Sequence, residues 1–339
     1  VKAQHRFDQK EHPVFLDMGC GFPPVTTADT ARALPDWQIF GVDQSFPDFI
    51  VFNEEGHYAC FDNNGEFQYF QALMTPSGRA LYQDPQGTRE SFTALFEEFK
   101  RKGLPPKGNP GDTLENKGCR LIRDHVRQFE TKNLNFIKSD IRNTGLPQAQ
   151  VIRAMNVWLY FDARARARIL GQAADLLEDG GLLILGTNGL GIQRRYFVCE
   201  KQSQGLIPLE FAFSPDNLGP ISFMAWFTLH ENDPEALLLA HLSRDIRGHD
   251  GFWNDFSHTL DSLLQQSGLC RRGPDGFFQV DSREILFAEY RKMADAIWKE
   301  IETQGYVDGA VDVLCQAGHE AWKNHVGDIS VKPVPQALN

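Results

Sequence analysis

The residues best suited to chemistry come early, in Asp17-Met18-Gly19-Cys20-Gly21-Phe22-Pro23-Pro24. Glycines at the end of a strand let the backbone approach a ligand, and they aim amide N–H groups at it from the start of the following helix. About twenty residues on, Asp43 ends the run Gln38–Asp43, where a carboxylate can accept the two hydroxyls of a ribose. A third acid, Asp140, follows the run Asn135–Ser139, and Asn156 and Tyr160 stand at and beyond the end of Val151–Asn156. Acids and glycines that each end an apolar run describe a site for a nucleoside-containing ligand.

Two features separate the candidate ligands. A pyrophosphate-binding turn has a third glycine for close helix packing, and here that position is Pro24. Asp17 would repel a pyrophosphate but suits the α-ammonium group of S-adenosylmethionine (SAM). As a set, Asp17-x-Gly19-x-Gly21, Asp43, Asp140 and the Gly180-Gly181 hairpin resemble the motifs of class I SAM-dependent methyltransferases, over residues 13–43 and 134–187. That resemblance implies SAM as cofactor, S-adenosylhomocysteine as product, and cofactor contacts from Asp17, Gly19, Cys20, Gly21, Asp43, Gln44, Asp140, Ile141 and Asn156. It gives Asp140 the adenine amino group and Ile141 the adjoining apolar wall.

Ligands of such sheets lie beyond the carboxyl ends of the strands, so Asn156 and Tyr160 are the candidates for orienting the methyl acceptor. The segment Arg153–Asp162 is similar to the R-N-V-L-I-Y-F segment of chemotaxis-type protein-glutamate methyltransferases, and Leu177–Gly186 also resembles theirs. Met155 replaces that family's arginine before the asparagine, so carboxyl methylation stands as an alternative. No Asn-Pro-Pro-Tyr motif is present, which disfavours nucleobase and glutamine acceptors. Methyl transfer asks mainly for alignment and a dry cleft. His57, His230, His249 and His258 read as surface or core residues, Cys20 as a small packing residue, and no His/Asp/Glu spacing suggests a metal.

The elements that must position these residues alternate. Val14–Asp17, Gln38–Asp43, Asn135–Ser139, Val151–Asn156 and Leu182–Gly186 read as parallel strands, with helices over Thr26–Leu34, Cys119–Glu130 and Ala163–Leu177. Glu178-Asp179-Gly180-Gly181 reads as a glycine cap closing the last of these helices. The expected fold is α/β, Rossmann-like and doubly wound, with a mostly parallel seven-stranded sheet, an α+β insertion after the second strand and added C-terminal helices.

Residues 1–45 and 131–281 would form the SAM-binding domain, 46–130 an inserted lid and 282–339 a helical extension. Within the insertion, Asp48–Ala72 reads as a meander whose aromatics build its own core, cover the cofactor, or do both from opposite faces. A helix over Thr88–Lys102 and a mobile loop over Gly103–Lys117 follow. Later strands are expected near Tyr196–Cys199, Leu209–Phe213, Phe223–Leu229 and Phe277–Val280, and helices over Pro234–Ile246, Phe252–Ser267, Arg283–Thr303 and Val307–His325.

A formal charge of −11 disfavours nucleic acid. Six cysteines without metal-type spacing fit a reducing cytoplasm, and no apolar run is long enough for a membrane span. The leading expectation is a cytoplasmic enzyme methylating an O or N nucleophile of a small molecule. Protein carboxyl methylation and non-catalytic SAM binding are the alternatives.

Overall fold

Short β-branched and aromatic runs bounded by Gly, Asp and Asn dictate most of the strands, and the computed structural model shows where they pair. It describes residues 6–7, 10–73, 75–103, 111–141, 145–189, 193–218, 234–268, 270–272, 278–280 and 287–334. In chain order the elements begin with β1 (Val14–Met18), α1 (Val25–Ala33), β2 (Gln38–Asp43), β3 (Phe49–Phe52), β4 (Tyr58–Phe61) and β5 (Phe67–Gln71). Next come α2 (Pro76–Gln83), α3 (Pro85–Arg101), β6 (Thr113–Asn116), β7 (Cys119–Arg123), β8 (Leu134–Lys138), β9 (Ala149–Met155), α4 (Ala163–Leu176) and β10 (Leu177–Gly189). The chain continues through β11 (Gln193–Gln202), β12 (Gly205–Phe213), α5 (Pro234–Arg247), α6 (Asp250–Ser267), β13 (Cys270–Arg272) and β14 (Phe278–Val280). It closes with α7 (Phe287–Thr303), α8 (Tyr306–Gln316), β15 (Ala321–Lys323) and β16 (Ile329–Val331).

Contacts divide the chain into two compact units, one of residues 1–9, 14–18 and 142–339, the other of residues 10–13 and 19–141. In the first, the strands run β15-β16-β12-β11-β10-β9-β1. β9 pairs in parallel with β1 and β10, placing Leu16 opposite Ile152 and Arg153 opposite both Asp17 and Ile184. The remaining four pairings are antiparallel. Leu16, Ile152, Leu183, Phe197 and Phe211 are buried along these strands.

In the second unit, β2 and β8 pair in parallel, and a separate five-stranded antiparallel sheet has the order β5-β4-β3-β7-β6. Helix α3 turns Phe92, Phe96 and Phe99 into that sheet, where they meet Phe49, Val51, Ala59, Phe61 and Leu121. Phe96 stacks on Phe61 with ring centroids 4.3 Å apart. Pro85 at the first helical position and the Asp84 side chain accepting from the Gly87 amide start α3.

The five parallel strands expected from sequence are all present, and the larger architecture is mixed α/β. In the first unit the sheet is not the mostly parallel one expected. Antiparallel pairings are as prominent as parallel ones, because β11 and β12 join through a two-residue turn, which only antiparallel neighbours can use.

Cys119–Glu130 is not a helix but β7 followed by a short 3₁₀ turn at His125–Phe129. Lys117 and Gly118, both at positive φ, make the tight turn that folds β7 onto β6, and Leu121 and Ile122 then bury on opposite faces. Residues 113–116 of the expected loop are therefore strand, while 104–110 lie outside the described residues.

Helix α4 has no glycine cap. The chain passes directly into β10, and the Gly180-Gly181 pair makes an irregularity in register between Leu177 and Leu182. The helix expected over Val307–His325 stops at Gln316, because Gly318 at φ +92 reverses the chain while the His319 amide reaches the Leu314 carbonyl. Phe223–Leu229, His230 and residues 283–286 lie outside the described residues.

The Phe61–Phe96 stack makes a first prediction. Phe96→Ala should lower unfolding stability by about 3–5 kcal/mol, the range for emptying a buried aromatic position, read as a fall in denaturant midpoint. A change below about 1 kcal/mol would mean that this cluster does not hold the five-stranded sheet.

Candidate functional site

The glycine turn lies entirely in the second unit. Gly19 and Gly21 have φ of +65 and +69, the left-handed region that residues with a side chain rarely occupy. Gly19 N and Cys20 N both donate to the Val42 carbonyl, at 2.7 and 3.3 Å. Gly21 N donates to Asp43 Oδ2 at 2.9 Å, and Asp43 Oδ1 accepts from Ser45 N and Ser45 Oγ at 2.8 and 2.6 Å. Where a side chain on Gly21 would begin, no atom lies within 4 Å. Gly41 has the opposite surroundings, with the Phe136 ring 2.6 Å and Cys20 Sγ 3.1 Å from a notional Cβ. Cys20 thus packs against the second strand. Gln44 is exposed, Asp140 is half-buried and Ile141 is buried.

Alternation in β3 and β4 gives the inserted sheet two faces. Phe49, Val51, Ala59 and Phe61 face α3, while Phe52 and Tyr58 lie on the other side. That second face reaches the glycine turn. Phe22 stands edge-on to Tyr58 and His125 at 6.3 and 5.4 Å, and Phe52 is 5.4 Å from Tyr58. Arg120 lies over the Phe52 ring at 4.7 Å. His125 is half-buried, its Nδ1 is buried with no hydrogen-bond partner, and burial first, then the positive charge of Arg120, holds its pKa below the ordinary value. Burial likewise pushes the Tyr58 hydroxyl and the Cys60 thiol up to about 12, so neither ionises at neutral pH.

In the first unit, Asp17 is 4% exposed and bound by Arg153 through two bonds, Nε to Oδ1 at 2.9 Å and Nη2 to Oδ2 at 2.6 Å. The β1–β9 register sets this pair directly across the ladder. The negative charge read from sequence as a partner for the cofactor's ammonium is therefore matched inside the protein. Asn156 adopts φ +60 at the end of β9, a conformation asparagine tolerates better than most residues. Its side chain is committed as well, donating to the Asn188 carbonyl at 3.0 Å and accepting from the Asn188 amide at 2.6 Å. Tyr160 is 75% exposed on the following turn.

Sequence reasoning passed over Phe22 and His125 as functional residues. Phe22 sits inside the motif but carries no motif letter, and His125 falls in the stretch read as a helix. Among the other histidines, His57 is buried, with Nδ1 accepting from Leu73 N and Nε2 facing Glu55 at 2.9 Å, a structural role. His249 caps α6 through the Phe252 amide, and His258 lies on the exposed side of that helix. Among the described residues, Cys20, Cys60, Cys119, Cys199 and Cys315 are free thiols, and no helix is long and apolar enough to cross a membrane.

No protein-family model matches the sequence, and no curated protein matches it. Solved structures that resemble it include an O-methyltransferase family protein from Burkholderia thailandensis, with 16% identity, 56% of this chain covered, 35% of that chain covered and a TM-score of 0.25. For the plantazolicin methyltransferase BpumL in complex with SAH the values are 14%, 55%, 43% and 0.25. For human N-acetylserotonin methyltransferase in complex with SAM they are 11%, 55%, 32% and 0.26. The match spans about a third of the first of these chains. Similarity of this depth leaves the chemistry to be read from the residues.

The buried ion pair and the buried histidine each generate a test. Arg153→Met should cost about 3–5 kcal/mol of stability, because the buried Asp17 carboxylate loses its guanidinium counter-charge, while Arg153→Met with Asp17→Leu should recover most of the loss. Equal losses in the single and double variants, by denaturant unfolding, would contradict the pairing.

His125 is easier to protonate in the unfolded chain than in the folded one. Its contribution to stability is full above the ordinary value of 6.5 and is lost as pH falls from there through the lowered folded value. His125→Phe should flatten the fall in melting temperature below that pH, and an unchanged profile would contradict the burial of the neutral ring.

Proposed function

We propose that the chain is a SAM-dependent methyltransferase that transfers a methyl group to an oxygen or nitrogen nucleophile of a small-molecule acceptor. The observation that carries the reading is how the turn's donors are used. The Gly19, Cys20 and Gly21 amides are all consumed internally, two by Val42 and one by Asp43, so none of the three is left to grip a pyrophosphate.

Asp43 itself suits a ribose. A carboxylate offers about four lone-pair directions, and three are taken by Gly21 N, Ser45 N and Ser45 Oγ, leaving one on Oδ2. Ser45 is exposed, and rotation of its hydroxyl would release a second direction. The open space beside Gly21 admits a ligand edge against bare backbone. These residues fit the nucleoside half of SAM, with Asp140 and Ile141 proposed to meet its base.

SAM, when bound, supplies a methyl carbon activated by a sulfonium centre. The chain's own residues orient and exclude water. Phe22, clamped by Tyr58 and His125, fixes the path of the turn. Asn156 enters as a positioning residue through its hold on Asn188, and Tyr160 as the accessible side chain proposed to meet an acceptor. Asp17 is proposed to contribute as a hydrogen-bond acceptor, since its charge is already matched by Arg153.

Calorimetry with S-adenosylhomocysteine tests the reading. Asp43→Ala should weaken binding by about 1.5–3 kcal/mol, the cost of losing hydrogen bonds to a charged group. Gly21→Val should abolish it, because a β-branched residue is strained at φ +69 and would fill the open edge. Unchanged affinity in a folded Asp43→Ala variant would remove this carboxylate from the site.

A further inference from the structure

The packing of the C-terminal helices brings His319 to a pair of groups on α5 that lie far from it in sequence. His241 and Asp245 lie one turn apart on α5, so their side chains share a face. His319 follows the glycine that ends α8, 74 positions from Asp245. Nε2 of His319 is 2.9 Å from Asp245 Oδ2, and Nε2 of His241 is 3.8 Å from the same oxygen. The three ligand atoms all lie within 4.8 Å of one another, the one such group of His, Cys, Asp or Glu among the described residues. The imidazole rings meet edge to face, with centroids 5.9 Å apart.

We propose that His241, Asp245 and His319 form a binding site for a divalent transition-metal ion of the zinc class. Two imidazoles and a carboxylate are the donor set such ions prefer, and three protein ligands leave a fourth position for water. Ligand atoms around a metal at about 2.0–2.1 Å stand roughly 3.3 Å apart in a tetrahedron, so the observed spacings of 2.9 and 3.8 Å need only small side-chain rotations. The Asp245 and His319 side chains are 22% and 24% exposed and hold two of the ligands in place, while the His241 side chain, at 50%, can close on the ion. The ion would join α5 to the segment leading into the C-terminal hairpin, as a clip between elements distant in sequence.

Two contacts oppose binding: the 2.9 Å hydrogen bond between His319 Nε2 and Asp245 Oδ2, whose proton must move to Nδ1 before Nε2 can ligate, and Arg244. Arg244 Nη2 is 2.9 Å from His241 Nδ1 and 3.6 Å from Asp245 Oδ1. With Nδ1 accepting from the guanidinium, the neutral His241 ring carries its proton on Nε2. Metal binding at Nε2 moves that proton to Nδ1, so Arg244 must swing away. Its side chain is 72% exposed and is free to do so.

The test titrates the full-length protein, stripped with chelator, with Co²⁺ or Zn²⁺ alone, in excess Mg²⁺. One equivalent of Co²⁺ should give the visible absorption of a low-coordinate site, Zn²⁺ should abolish it by displacement, and Zn²⁺ should raise the melting temperature. His241→Ala and Asp245→Asn should each weaken binding by about tenfold or more, given that even outer-shell partners of metal ligands are worth 10–100-fold. Arg244→Ala should bind as tightly or more tightly. His241 lies on the outside of its helix, so that variant keeps the fold and remains informative if Asp245→Asn unfolds. Absence of saturable binding at one equivalent, or equal affinity in His241→Ala, would overturn the proposal.

Discussion

Asp43 ties the end of the second strand to the glycine turn, with Gly21 N on one carboxylate oxygen and both Ser45 donors on the other. In the proposed function this contact governs which ligand the turn accepts. A glycine-rich turn usually advertises free amides, yet here the Gly19 and Cys20 amides also bind internally, to Val42. The turn presents an open backbone edge and a partly unsatisfied acid, a surface suited to hydroxyl donors and hostile to phosphates. The positive φ of Gly19 and Gly21 is what lets three consecutive amides turn inward.

The inserted sheet supports that turn with the face its own core does not need. One side of β3 and β4 packs on the phenylalanines of α3. The other side offers Phe52 and Tyr58, which with His125 surround Phe22. A single two-residue period therefore serves stability on one face and placement of the glycine turn on the other. Burial, with the positive charge of Arg120 over Phe52, holds the His125 pKa below its ordinary value on this second face.

What the sequence makes legible follows the range of the interactions. The parallel strands and α3 depend on local pattern and read correctly, whereas the glycine-turn amides expected to face a ligand bind Val42 and Asp43 instead. Cys119–Glu130 misleads because Ile122, Val126 and Phe129 recur at helical spacing, and only the turn at Lys117-Gly118 and pairing with Phe49–Phe52 select a strand over Cys119–Arg123. Asp17 is legible as an acid ending the first strand, but its partner Arg153 is 136 residues away and set by strand register. Asn156 reads as an orienting amide, whereas Asn188 occupies it from the neighbouring strand. His241 and Asp245 have helical i, i+4 spacing, but His319 lies 74 residues beyond Asp245 and only the packing of the helices brings it to them.

The central claim is that this turn takes a nucleoside with free hydroxyls and refuses a dinucleotide phosphate. Parallel titrations of the unaltered protein with S-adenosylhomocysteine and with NAD test it most directly. The account predicts saturable one-to-one binding of S-adenosylhomocysteine and no measurable binding of NAD. Comparable affinity for NAD, or binding of NAD alone, would contradict it.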